Sequence, residues 1–159
     1  MGWPSLIFRF IAGTIVSFFV FLVFYAIPSY LPELVSLAMP SQAEALKGIV
    51  SALVSPALPF IGLFLTVAVF LEIFLKDTEV YGPLLMLSGS GFIAYILVAM
   101  HGGIIQMVVP SNLLMGISLN LAVGLTFLML IMLLPSALTV LKGLILTFKK
   151  RNPDGTAMK

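Results

Sequence analysis

The chain has 159 residues, of which 61% are hydrophobic and 9% are charged, and its formal net charge is +2. Its mean hydropathy is +1.21. Soluble domains carry about 25% charged residues, so this composition excludes a soluble enzyme and a soluble nucleic-acid-binding protein, and no nucleic-acid partner is expected. We therefore predict a multi-pass protein of the cell membrane, in contact with membrane lipids.

Cysteine and histidine usage limits the possible chemistry. The chain has no cysteine and one histidine. Disulfides, thiolate-bound iron–sulfur clusters and thiolate zinc sites are excluded, as is any centre that needs two histidines from this chain. We predict no metal site and no resident cofactor, with a quinone or a haem shared with a partner chain as the alternative.

The first predicted span covers residues 6–27, a phenylalanine-rich apolar stretch that contains Arg9. A loop follows, in which Pro32 can begin a short helix and Pro40 can end it. A short helix with apolar residues on one side is typical of segments that lie flat at the membrane surface. We therefore predict a short interfacial helix in the first external loop.

The second predicted span covers residues 42–75 and begins at a capping box formed by Ser41 and Glu44. A straight helix of this length would be about 51 Å long, which exceeds the ~30 Å hydrocarbon core of a bilayer. Pro56 and Pro59 each remove a backbone donor, so we predict a bend at these prolines.

Two further spans complete the predicted single transmembrane domain over residues 1–148, and a tail follows it. A Pro-Ser-Asn turn separates the third span from the fourth, and Pro135 interrupts the fourth. The predicted segments are 83–109, 113–134, 136–148 and a basic cytoplasmic tail over 149–159. The segment after Pro135 is too short to cross the bilayer again, so it either prolongs a kinked fourth helix or lies on the surface.

Charge asymmetry predicts the orientation in the membrane. If both termini are cytoplasmic, Lys47 is the single external basic residue. The other seven are then cytoplasmic: Arg9, Lys76, Lys142, Lys149, Lys150, Arg151 and Lys159. Positive charge is enriched in cytoplasmic loops, so we predict that both termini face the cytoplasm.

Small and polar residues recur at helical spacing in each predicted span. In the third span this stripe comprises Ser88, Gly91, Tyr95, Ala99, Gly102 and Gln106. Helices in lipid associate through close packing over small residues and through interhelical hydrogen bonds. We therefore predict an all-α protein whose four transmembrane helices form an antiparallel bundle.

Two polar residues near the predicted cytoplasmic ends are candidate functional groups, Arg9 and Glu72. Ionisable groups inside a membrane are costly to bury and are therefore candidates for function. Glu72 stands four residues before Lys76, a favourable spacing for an ion pair on a helix. The alternatives for Glu72 are a structural pair with Lys76 or Arg9, proton or cation handling, and contact with a partner.

Three polar residues are predicted in the external half of the bundle: His101, Gln106 and Asn120. The imidazole of His101 would make an interhelical or intersubunit hydrogen bond, contact a quinone or a lipid headgroup, or ligate a haem or metal together with a partner chain. Tyr95 is a second weak candidate for cofactor contact. No catalytic residues are predicted, because no carboxylate pair, Ser/His/Asp arrangement or zinc-protease motif is present.

These observations predict a non-catalytic structural or accessory subunit of a larger membrane complex, for example a respiratory or energy-transducing one. The predicted partners are other integral membrane subunits or further copies of this chain. The alternative is a small homo-oligomeric transporter or channel for an ion or small solute, with the polar residues as stations along a path. A weaker third hypothesis is a redox subunit with a quinone near His101 and Tyr95.

Overall fold

The computed structural model describes residues 3–38, 40, 43–109 and 119–151. These residues are almost entirely helical. In chain order the elements are α1 (Trp3–Phe21), a π-helical segment (Leu22–Ala26), α2 (Ile27–Ala38), α3 (Ala43–Leu53), α4 (Ala57–Phe74), α5 (Tyr81–Ala99), a 3₁₀ turn (His101–Gly103), β1 (Ile104–Val109), β2 (Leu119–Gly124) and α6 (Thr126–Arg151).

Four helical segments of the described chain are long and apolar enough to cross a membrane. They are Pro4–Ala38, Ala57–Phe74, Tyr81–Ala99 and Thr126–Lys149. This agrees with the predicted number of spans and indicates a helical membrane protein.

The first span is longer than predicted, because α1 continues through the π-helical segment into α2 as one helix of 35 residues. Pro28 lacks an N–H, so the carbonyl of Phe24 has no ordinary helical donor, and the wider π turn accommodates this. Residues 32–38, predicted as a separate interfacial helix, instead belong to this continuous helix.

The second predicted span is two helices, since α3 ends at Leu53 and α4 begins at Ala57. The predicted bend at Pro56 is therefore present. Pro59 lies in the first turn of α4, where a missing N–H costs little. On its own α4 has 18 residues, which gives a length of about 27 Å.

A strand pair replaces helix where the third and fourth spans were predicted to meet, so the helix predicted up to residue 109 is corrected and the described chain is almost entirely, rather than wholly, helical. The α5 helix ends at Ala99, and the φ angles of His101, Gly102 and Gly103 are 48°, 70° and 95°. This left-handed backbone ends a helix and redirects the chain. β1 then pairs antiparallel with β2, with Ile104 opposite Gly124.

The fourth helix, α6, contains Pro135 within it and runs on to Arg151. Of the two alternatives for residues 136–148, the structure has the first, a prolongation of the fourth helix. Most of the predicted tail, residues 152–159, lies outside the described residues, as does the turn predicted at 110–112.

Neighbouring helices run antiparallel, in the order α1, α4, α5, α6. Arg9 near the start of α1 pairs with Asp77 just after α4, whereas Phe24 just after α1 meets Gly62 near the start of α4. Ser88 and Gly91 of the predicted stripe face α4. The opposite face of α5 meets α6 through Gly82 and Gly89, which the predicted stripe did not include, and through Gly143 of α6.

One side of the bundle is open. α1 packs on α4, α4 on α5 and α5 on α6, whereas the described parts of α1 and α6 share no comparable contact. The fully buried side chains are Leu65 of α4 and Ser88 of α5, so the core lies between the two central helices.

We expect Gly62→Ala to lower the free energy of unfolding by about 1–3 kcal/mol, because the added methyl group overlaps backbone atoms of Phe24. Gly48→Ala is the matched control: among the described residues, no atom outside the local helix backbone lies within 4 Å of a methyl group at this position, and alanine favours helix by about 1 kcal/mol. Unfolding of both variants in detergent micelles measures the difference, and equal stabilities would contradict the close approach at Gly62.

Candidate functional site

The open side of the bundle forms a groove of about 490 Å³ that we call the cleft. Its walls are α1 and α6, and its floor is α4 and α5. The residues that define it are Val16 and Val20 of α1, Glu72 of α4, Ser88 of α5, and Ser136 and Thr139 of α6. An apolar groove between helices thus carries a carboxylate and three hydroxyl groups.

Glu72 accepts a hydrogen bond of 2.7 Å from Ser88, which joins Oγ of Ser88 to Oε2 of Glu72. Ser88 is 1% exposed and is the eighth residue of α5, about 10 Å along the helix from its first residue. The carboxylate of Glu72, which is the third residue from the end of α4, therefore meets its partner about two turns inside α5.

The predicted ion pair of Glu72 with Lys76 or Arg9 is not what the structure shows. Arg9 instead forms an ion pair with Asp77, in the turn after α4. The Nη1 atom of Arg9 is buried and has no hydrogen-bond partner among the described residues. Asp77 lies 68 residues from Arg9, and sequence spacing offered no signal for this contact.

The α6 wall adds polar groups that the sequence interpretation missed, because Pro135 was taken mainly as an interruption. Ser136 is buried, and the hydroxyl of Thr139 donates to the carbonyl of Pro135 at 2.9 Å. Pro135 has no N–H, so the carbonyl of Ile131 lacks its usual helical donor. These polar groups could have been predicted from the sequence, because the spacing of Pro135, Ser136 and Thr139 places them on one face of a helix.

A second pocket, of about 460 Å³, lies at one end of the bundle between the α4–α5 turn and α6; we call it the turn pocket. Its lining includes Lys76, Asp77, Glu79, Tyr81, Leu146 and Lys149. Charged groups of both signs therefore surround a small apolar base.

The polar residues predicted for the external half do not lie on helices. His101 is exposed in the turn after α5, and Gln106 is exposed on β1. Asn120 belongs to β2, where its backbone pairs with Val108. His101 therefore lies beyond the end of the helix in which it was predicted, and its interhelical or intersubunit hydrogen bond stays a prediction.

Tyr95, the second predicted cofactor candidate, packs edge-on against Phe24, with ring centroids 4.8 Å apart. The ring of Phe92 also contacts the ring of Phe24, and these two ring centroids are 5.4 Å apart. These contacts link α5 to the π-helical segment and give Tyr95 a packing role. In the described part of the chain, no three His, Asp or Glu side chains come together as a metal site would require.

The chain matches no protein-family model, no curated protein and no solved structure at a significant level. The functional argument therefore starts from the cleft and the turn pocket themselves. Glu72 in the cleft can accept hydrogen bonds, bind a proton or bind a cation, and the turn pocket can bind a charged group.

We expect His101→Val to lower the thermal midpoint and His101→Gly to raise it. A left-handed backbone costs a β-branched residue about 1–2 kcal/mol and costs glycine little, and the φ of His101 is 48°. Thermal unfolding of the two variants beside the parent protein measures the order. A glycine variant less stable than the valine variant would contradict the backbone argument, and a glycine variant less stable than the parent would indicate a stabilising contact of the imidazole.

Proposed function

We propose that the protein is a non-catalytic subunit of a larger membrane complex, and that a transmembrane helix of a partner subunit binds in the cleft. The observation that carries this proposal is the position of Glu72 in an apolar cleft that is open between α1 and α6, two of the helices long and apolar enough to cross a membrane.

The energetic argument rests on the carboxylate. A carboxylate that faces hydrocarbon is costly unless it is paired with donors, whatever its exact depth in the span. Ser88 donates one hydrogen bond to Glu72, whereas a carboxylate has about four acceptor positions. A partner helix with a Lys, Arg, Ser or Asn side chain at this depth would supply further donors and would cover the apolar walls of the cleft.

We further propose that both termini are cytoplasmic, as the charge asymmetry predicts. Arg9, Lys76 and Lys149 lie at one end of the bundle, where α1 begins, α4 ends and α6 ends. Lys47 is on α3, which packs against α2 and β1 at the other end. The segregation of basic residues to one end of the folded chain supports a cytoplasmic assignment for that end.

The partner can be tested by photocrosslinking in the native host membrane followed by native mass spectrometry. A photoreactive residue at Val20 is expected to crosslink to a second chain, and the adjacent Phe19, which is 62% exposed away from the cleft, is the matched control position. Glu72→Gln should reduce the recovered partner severalfold, because it removes the charge that the partner's donor meets.

The matched control for Glu72→Gln is Glu79→Gln, the same chemical change at an exposed position of the α4–α5 turn, and it should leave recovery unchanged. A stoichiometric second chain that crosslinks from Val20 supports the proposal. A protein that is extracted only as copies of itself would contradict it.

A second candidate function is a small transporter or channel for a cation, assembled from several copies of the chain. The observation that favours it is the convergence of oxygen atoms on the cleft, from Glu72, Ser88, Ser136 and Thr139. Carboxylate and hydroxyl oxygens are suitable ligands for a proton or a hard cation.

For this second function, purified protein in liposomes should carry a proton or monovalent-cation flux that Glu72→Gln abolishes and Glu79→Gln preserves. A flux assay with a pH-sensitive or potential-sensitive dye makes the measurement. Liposomes that stay inert with the parent protein, or a flux that Glu72→Gln leaves intact, would exclude the transporter hypothesis.

A further inference from the structure

The turn pocket lies where three apolar helices end. Among the candidate spans, α4 ends at Phe74, α5 begins at Tyr81, and the last span ends at Lys149. The residues around the pocket therefore lie just beyond the hydrocarbon-length helices, at the depth of lipid headgroups. Gly82 and Leu146 form its apolar side, which continues into the membrane-facing part of the bundle.

The charges around the turn pocket are unevenly balanced. Lys76 and Lys149 are both exposed and line the pocket. Of the two acidic residues, Asp77 is already paired with Arg9, which leaves Glu79 as the acidic group whose charge opposes that of the lysines. With the Arg9–Asp77 pair counted as neutral, the lining residues carry two positive charges against one negative charge.

Two residues of the turn pocket, Thr78 and Tyr81, carry hydroxyl groups. The hydroxyl of Thr78 donates to the carbonyl of Leu75 at 2.7 Å and so is used within the turn. Tyr81 is half-buried at the start of α5 and lines the pocket with its phenol ring. A phenol at headgroup depth is amphipathic, with an apolar ring and a polar tip, which suits the interface of a bilayer.

We propose that the turn pocket binds the phosphodiester group of a membrane phospholipid, with Lys76 and Lys149 as the cationic partners. Either a phospholipid headgroup or a free phosphate could supply the phosphate group that the two lysines would bind. The depth of the pocket and its apolar side favour the lipid, whose glycerol and chains would lie along Leu146. Basic pockets between transmembrane helices on the cytoplasmic side are suited to such headgroups. This proposal is independent of what binds in the cleft.

The test is a titration of the delipidated full-length protein with phosphatidylglycerol in detergent, followed by native mass spectrometry. The parent protein should retain one lipid. Each lysine near a membrane surface strengthens the binding of an anionic lipid by roughly 5-fold. Lys76→Gln or Lys149→Gln alone should therefore weaken phosphatidylglycerol binding by roughly 5-fold, and both changes together by roughly 30-fold. Lys47→Gln, an exposed lysine at the other end of the bundle, is the matched control and should have no effect.

A substitution of opposite sign separates charge from general damage. Glu79→Gln removes the opposing negative charge from the same pocket, so it should tighten phosphatidylglycerol binding severalfold. Thermal unfolding of every variant confirms that the substitutions, all at exposed side chains, leave the fold intact.

A second arm distinguishes lipid from free phosphate. Millimolar inorganic phosphate should neither stabilise the protein nor displace the lipid; displacement would assign the pocket to a soluble phosphate compound and overturn the lipid proposal. Binding that survives the double lysine substitution, or that Lys47→Gln weakens equally, would overturn the proposal as a whole.

Discussion

The close approach of α5 to α6 is the contact on which the other features of the bundle depend. Gly82 and Gly89 of α5 and Gly143 of α6 bring the two backbones together, and a methyl group on Gly89 would lie 2.7 Å from Cγ2 of Val140. In lipid there is no hydrophobic force between helices, so dispersion contacts over such small residues hold them in place. Once α6 fixes one face of α5, the opposite face carries Ser88 to α4, where it meets Glu72. A single central helix therefore joins the close packing on α6 to the hydrogen bond between Ser88 and Glu72.

The packing around α5 divides the molecule into three regions: the cleft, the turn pocket and the opposite end of the bundle. The two outer helices, α1 and α6, do not close on each other, and the carboxylate of Glu72 lies between them. The charged residues of one bundle end surround the turn pocket, and the opposite end carries α3 and the strand pair. Residues of α5 and α6 line both the cleft and the turn pocket, so a change in the angle between these two helices would alter both. The ion pair between Arg9 and Asp77 connects α1 to the α4–α5 turn, which lines the turn pocket.

Hydropathy and proline positions were sufficient to predict the number of helical spans and the break near Pro56. They could not predict the strand pair, because a run such as Ile104–Val109 is equally apolar in a helix and in a strand. What decides the outcome is the left-handed backbone at His101 and the two glycines after it, which ends α5 before the run begins. The candidate site was predicted in part: Glu72 was identified, but its partner was not. Hydrogen bonds such as that from Ser88, and ion pairs such as that of Asp77, depend on contacts between helices that helical periodicity on one chain segment does not contain.

The lengths of the helices determine which bilayer thickness the protein fits. The two central helices have 18 and 19 residues, about 27–29 Å when straight, whereas the first span has 35. A long helix can tilt or project from the bilayer, but a short helix that is packed on both sides cannot lengthen. The central pair therefore defines the hydrophobic thickness that the surrounding bilayer must match. A thicker bilayer would have to thin around the protein, at a cost of a fraction of a kcal/mol for each ångström of mismatch, and lipid composition would thereby influence where in a cell's membranes the protein resides.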